Sequence, residues 1–157
     1  MVSDDFIGYV LELLGPFGTV GSRRMFGGHG VYLDGLMFAI VSDDALYLKA
    51  DEMNRVEYEQ AGCEMFGYTR NGKRATLNFF RAPAEAMDSP DLMLPWARSA
   101  YAAALRAQAK KRVAAQRRAV DEFNRARSAR TPAKKSSAAK SAQKKTVRRA
   151  RAQGKRK

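Results

Sequence analysis

The sequence predicts an α+β domain in which helices pack on an antiparallel sheet, and three observations point there. Apolar residues recur at helical spacing near residues 6–14 and again after residue 91. Between these runs the period shortens to that of strands, and Asp34-Gly35 and Asn71-Gly72 fall between apolar segments where two-residue hairpin turns belong. Strands that follow one another through tight turns are antiparallel, and helices gathered at the two ends of such a run must cover one face of the sheet.

Ser3 before Asp4 and Asp5 starts a helix, because the serine oxygen can accept from a free amide while the carboxylates meet the positive end of the helix dipole. Phe6, Ile7, Val10, Leu11 and Leu14 form its apolar stripe, and Gly15-Pro16 ends it. From about Arg23 the chain alternates as strands do, and "GVYL", "LMFAIV" and "LYLKA" read as a three-strand meander turned at Asp34-Gly35 and at "SDDA", residues 42–45. Asp51 caps a short helix through "EMNRVEYEQA" that Gly62 closes. Asn71-Gly72 then joins "FGYTR" to "RATLNFFR" as a two-strand hairpin.

A long C-terminal helix begins near Asp91, with Leu92, Leu94, Trp96, Tyr101 and Leu105 expected to close the core on the sheet. Helix-favouring Ala, Arg, Lys and Gln continue to about Ala129, so the helix is expected to outrun its apolar stripe. Thr131-Pro132 stops it. The remainder holds one large aliphatic residue, Val147, and no aromatic, too little to offset chain entropy, so a disordered tail is expected. The expected organisation is a domain over residues 1–107, a basic helical extension over 108–130 and a Lys/Arg/Ala-rich tail over 131–157.

Charge is divided unevenly along the chain. Residues 1–105 carry 9 Lys and Arg against 14 Asp and Glu, a net charge of −5, whereas residues 106–157 carry 20 against 2, a net charge of +18. The basic end therefore seeks a polyanion while the domain does not. Lys134, Lys135, Lys140, Lys144, Lys145, Arg148, Arg149, Arg151, Lys155, Arg156 and Lys157 alternate with Ala and Ser in a composition that resembles linker-histone tails, and they are expected to hold nucleic-acid phosphates without reading sequence. One cysteine, Cys63, leaves no intramolecular disulfide. No apolar run approaches a membrane span and the N-terminus "MVSDDF" is acidic, so a cytoplasmic protein is expected, with nucleoid association through the tail.

The stretch "SRRMFGGHGVY", residues 22–32, is the densest candidate site. A phosphate loop needs its glycines between a strand and a helix N-terminus, and here a strand and a hairpin turn follow instead. Gly27, Gly28 and Gly30 are read as glycines inside a strand that let a helix lie near the sheet. His29 has no second histidine or nearby cysteine to share a metal, so no metal and no cofactor is expected. Arg23 and Arg24 alternate across a strand, one facing solvent and one near an acidic neighbour, and are assigned to contact with a protein. Cys63 lacks the cationic setting of a reactive thiol, and Asp43-Asp44 is read as turn chemistry. Phe79 and Phe80 are adjacent, so one is expected to point away from the core and mark an interface for self-association, a homodimer. No set of catalytic groups can be assembled.

The segment "RRMFGGHGVYLDGLMFAIVSDDALYLKAD", with "FGYTRNGKRATLNFFRAPAEAMD" and "LMLPWARSAY" following in order, resembles the N-terminal domain of the TfoX/Sxy family over roughly residues 3–107. The resemblance implies the same order of helices and strands. It implies a regulatory role, since the family's named members regulate competence together with the cyclic-AMP receptor protein, and no catalytic residues. Those regulators carry a second, C-terminal helical domain, and here a basic tail stands in its place. The expectation is a non-enzymatic adaptor whose domain contacts a protein, in the transcription machinery, and whose tail holds DNA. The rival expectations are a nucleoid-type DNA-binding protein whose domain only self-associates and, last, an enzyme.

Overall fold

The structure is a computed structural model that describes residues 2–130. Its elements are α1 (Asp4–Leu13), β1 (Val20–Met25), β2 (Gly28–Leu33), β3 (Leu36–Ser42), β4 (Ala45–Lys49), α2 (Arg55–Gln60), β5 (Met65–Arg70), β6 (Lys73–Arg81) and α3 (Pro90–Ala129). The described residues divide into two units, residues 2–112 and 113–130. Among the described residues no helix is long and apolar enough to cross a membrane.

All six strands form one antiparallel sheet in the order β1-β2-β3-β4-β6-β5. The α+β class holds, but the meander has four strands, not three. The additional strand is Val20–Met25, turned back at Phe26-Gly27, and a phenylalanine gives no signal of a turn. Four two-residue turns close hairpins, each with both residues at positive φ: Phe26-Gly27, Asp34-Gly35, Asp43-Asp44 and Asn71-Gly72. That backbone matches the twist of the flanking strands, and Asn, Asp and Gly tolerate it best.

Residues paired across antiparallel strands share a face, so the register assigns the two faces. One row, Val31, Ala39, Leu48, Phe80 and Met65, crosses five adjoining strands. It lies in the core with Val10, Leu13 and Leu14 of α1, Tyr58 of α2 and Met93, Ala97, Ala100 and Ala104 of α3. Phe38 is the extra residue where the register shifts between Val31 and Tyr32. It joins this core in edge-on contact with Phe17 and Tyr101, at ring-centroid distances of 5.6 and 5.9 Å. The opposite row, Arg23, Gly30, Ile40, Tyr47 and Arg81, belongs to the other face of the sheet.

Local chemistry sets the helix ends. Ser3 Oγ accepts from the Phe6 amide, as its position before two aspartates predicts. The Asp51 carboxylate accepts from the amides of Met53 and Asn54, and Gly62 leaves α2 at φ +70°. Asn54 is buried at 4% exposure, and its Oδ1 accepts from the Asp51 amide while its Nδ2 donates to the carbonyls of Lys49 and Ser99. One amide side chain thus ties β4, α2 and α3 together.

The seam between α3 and the sheet departs from the expected stripe. Leu92 and Leu105 are exposed, Trp96 and Tyr101 are half-buried, and the fully buried positions are Met93 and four alanines, Ala97, Ala100, Ala103 and Ala104. Small side chains let the helix approach the strands closely, and Trp96 packs beside the Tyr58 ring at 5.1 Å. From Ala109 to Arg130 every residue is exposed.

The glycines do not have the role expected of them. A Cβ on Gly28 would lie 2.4 Å from the Val41 carbonyl oxygen, so this glycine permits strand-to-strand approach. A Cβ on Gly30 would meet the sulfurs of Met25 and Met37 at 2.7 and 2.9 Å. Gly27 supplies positive φ to the turn. None of these contacts is with a helix.

Candidate interaction surface

The β1–β2 hairpin collects the residues singled out in the sequence and adds one that was missed. Arg23 pairs with Gly30 in register and reaches over the Tyr32 ring, 5.5 Å from its centroid, on the face away from the helices. Arg24 takes the other face and lies 3.9 Å from the Asp4 carboxylate. Both side chains of that pair are more than four-fifths exposed, so it is a solvated contact that leaves the guanidinium available.

Between the arginines and the glycines, Phe26 occupies the tip of the hairpin. It is 101% exposed, more so than any other large apolar residue among those described, and its φ is +46°. The three sibling turns carry Asp or Asn at the equivalent position. A bulky aromatic gains nothing locally from this backbone and loses nothing by leaving water, so neither turn chemistry nor packing accounts for it. Sequence reading missed it because Phe26 stands among arginines and glycines that were read for phosphate, metal and backbone roles.

Asp43-Asp44 shows what a non-glycine residue gains in the same geometry. Asp44 has φ +51° where glycine is preferred, and its Oδ1 accepts from both the amide and the hydroxyl of Ser3, at 2.9 and 3.2 Å. This pins the start of α1 to the β3–β4 turn. Beside it, Val2, Ser3 and Asp4 line a pocket of about 620 Å³ with Arg24, Phe26 and His29.

His29 is half-buried opposite Arg24, and its Nδ1 has no hydrogen-bond partner among the described residues. Among the described residues no group of three His, Cys, Asp or Glu side chains is placed to hold a metal ion. Cys63 is half-buried, and burial pushes its thiol above the ordinary range, which disfavours the reactive thiolate. The Tyr58 hydroxyl is raised in the same way, first by burial and then by Glu57. The expected exposed phenylalanine at 79 or 80 is absent: Phe79 is 5% and Phe80 3% exposed. Phe80 stacks on Tyr58, and Phe79, on the face away from the helices, lies beneath the Lys49 ammonium, 4.9 Å from its ring centroid. The tail cations from Lys134 to Lys157 lie outside the described residues.

The hairpin therefore presents an aromatic anchor flanked by two guanidinium groups, an arrangement suited to recognition of a partner. Comparison with known proteins places the chain in a family. The model of the family described as the TfoX N-terminal domain matches residues 12–104. The chain is 32% identical over 79 residues to DNA transformation protein TfoX1 of Aliivibrio fischeri, a match covering 50% of this chain and 36% of the relative. It is 34% identical over 70 residues to Protein Sxy of Escherichia coli K12, covering 45% of this chain and 34% of the relative. The matched region thus spans about a third of the length of each relative.

Proposed function

The chain belongs to the TfoX N-terminal domain family, and on that premise we propose that it is a regulatory adaptor with no chemistry of its own, acting in the cytoplasm on genes of DNA uptake. One relative is named for DNA transformation, which supports this class of role. The domain engages a protein of the transcription machinery through Phe26, Arg23 and Arg24, and the basic tail holds DNA nearby through its lysines and arginines.

The observation that carries the reading is Phe26, an aromatic displayed to solvent on a backbone that does not favour it. Displayed aromatics and arginines are the residue types that anchor protein interfaces. The tail supports the second half of the reading by its charge, since each lysine or arginine that meets a phosphate releases a counterion.

Crosslinking in the native cell with the intact chain, followed by identification of the protein partners, tests the first half. Phe26→Asn should remove the partner while leaving the fold intact, and capture of the same partner by that variant would refute the hairpin assignment. For the second half, substituting Lys144, Lys145, Arg148 and Arg149 by alanine should flatten the dependence of log affinity on log salt by up to about 4 units, from roughly −0.9 per phosphate on duplex DNA. Arg23→Ala and Arg24→Ala should leave that slope unchanged.

A further inference from the structure

The domain is acidic as a whole, yet its charge is sorted by layer. The six strands contain Arg23, Arg24, Lys49, Arg70, Lys73, Arg74 and Arg81 and no Asp or Glu; the acids lie in helices, turns and connections. Register and ring contacts place five of these cations on the face away from the helices. Arg23 belongs to the row with Gly30, Ile40, Tyr47 and Arg81. Lys49 pairs with Phe79, and Arg70 pairs with Lys73 two residues beyond the Tyr68–Ala75 pair. None of the five forms an ion pair among the described residues, and Asp51, the acid nearest in sequence to Lys49, is bonded to Arg106.

Aromatic rings lie between these cations. Phe66, at the register irregularity of β5, meets the Tyr47 ring at 4.8 Å and stacks near Tyr68 at 6.3 Å. Tyr68 is 37% exposed and Tyr47 and Phe66 are half-buried, so their rings are partly open to solvent. The buried residues of α1, α2 and α3 pack with the opposite face; on this one Ile40 and Phe79 are buried, while Tyr68, Arg70, Lys73 and Arg81 are exposed.

We propose that this open sheet face binds single-stranded nucleic acid, with bases stacking on Tyr68, Phe66 and Tyr47 and the backbone held by Arg70, Lys73 and Arg81. A single strand fits because its unpaired bases expose the flat faces that rings require, whereas a duplex hides them. The absence of acids from the strands removes the repulsion that the rest of the domain would impose on phosphates. The residues named lie on β4, β6 and β5, at the other end of the strand order from the β1–β2 hairpin tip, and stacking on them distinguishes strands from duplexes where the phosphate contacts of the tail do not.

The test uses the full chain and a mixed-sequence single-stranded DNA bearing photoreactive iodouracil, beside the same sequence as duplex, at ~0.5 M salt to suppress purely ionic binding. Crosslinks are expected on peptides holding Tyr47, Phe66 or Tyr68. Tyr68→Ala should weaken the single strand about 10-fold, within the range for loss of one stacked base, and leave the duplex unchanged, whereas Tyr68→Phe should bind as the unaltered chain does. Crosslinks confined to residues 131–157, or equal single-strand affinity for Tyr68→Ala, would overturn the proposal. A dimer in sedimentation that Tyr68→Ala dissociates would also overturn it, by assigning the face to a second copy of the chain. The hairpin and tail readings survive either failure, because their variants report on a protein partner and on duplex DNA.

Discussion

The Arg106 guanidinium grips the Asp51 carboxylate with two hydrogen bonds, Nε to Oδ2 at 2.5 Å and Nη2 to Oδ1 at 3.0 Å, and so ties α3 to the residue that begins the α2 turn. The carboxylate serves two ends of the structure at once, since the same Oδ1 caps the Met53 and Asn54 amides. The Arg106 bond, chiefly, holds the Asp51 carboxyl below its ordinary range, against an opposing effect of burial, and the two amides add to the lowering.

A carboxyl lowered in the folded state contributes stability above its unfolded value, about 3.9, and loses it as pH falls through the folded value. Asp51→Asn should cost about 1.5–3 kcal/mol at pH 7, the scale of hydrogen bonds to a charged group. In urea titrations the gap from the unaltered protein should shrink steadily below about pH 4. A gap that is the same at pH 2.5 as at pH 7 would mean that the pair does not contribute through its charge.

Asp44 separates backbone cost from side-chain gain. Asp44→Gly loses the two Ser3 bonds but relieves the positive φ, whereas Asp44→Ala loses the bonds and keeps the strain. The alanine variant should therefore be less stable than the glycine variant by about 1 kcal/mol, the usual penalty for Cβ in a left-handed position. Equal melting temperatures would show that the turn relaxes to another backbone.

Phe26 should behave in the opposite way to a core aromatic. Phe26→Asn or Phe26→Gly should leave the domain as stable as before or raise its stability by about 0.5–1 kcal/mol, because residues suited to positive φ replace one that is not. Thermal denaturation measures this directly. A loss of several degrees would show that the ring packs in solution.

The two glycines of β2 should differ. Gly28→Ala drives a methyl into the Val41 carbonyl, a backbone atom with no room to move, and should cost about 3 kcal/mol or more, at the upper end for overpacking. Gly30→Ala meets the ends of flexible methionines and should cost about 1 kcal/mol. Reversal of this order in chemical denaturation would contradict the assigned register.

What was legible in the sequence follows from which residues announce their geometry. Asp34-Gly35 and Asn71-Gly72 favour positive φ through side-chain chemistry, so both hairpins were readable, as was the Ser3 cap. Phe26-Gly27 carries no comparable signal, and without it β1 disappears into the strand that follows. The α3 seam was misread for a related reason: hydrophobicity favours Leu92 and Leu105 over alanines, but close approach of helix and sheet favours small volume. One of Phe79 and Phe80 was expected at an interface; alternation puts Phe79 on the face away from the helices, but it is buried there and the Lys49 ammonium lies over its ring. The cationic bias of the open face was present in the composition of the strands, yet invisible until the faces were known.

The strand order has a kinetic consequence. Four of the five strand pairings in the sheet close through two-residue turns and need almost no search of chain conformations, so they can form in microseconds. The remaining junction, β4 with β6, brings Leu48 to Phe80 across α2 and all of β5. Closing that loop is the largest entropic step in assembling the sheet. The residues that reward it, Leu48, Phe80 and the Tyr58 ring stacked on Phe80, are therefore where substitutions should slow folding more than they hasten unfolding.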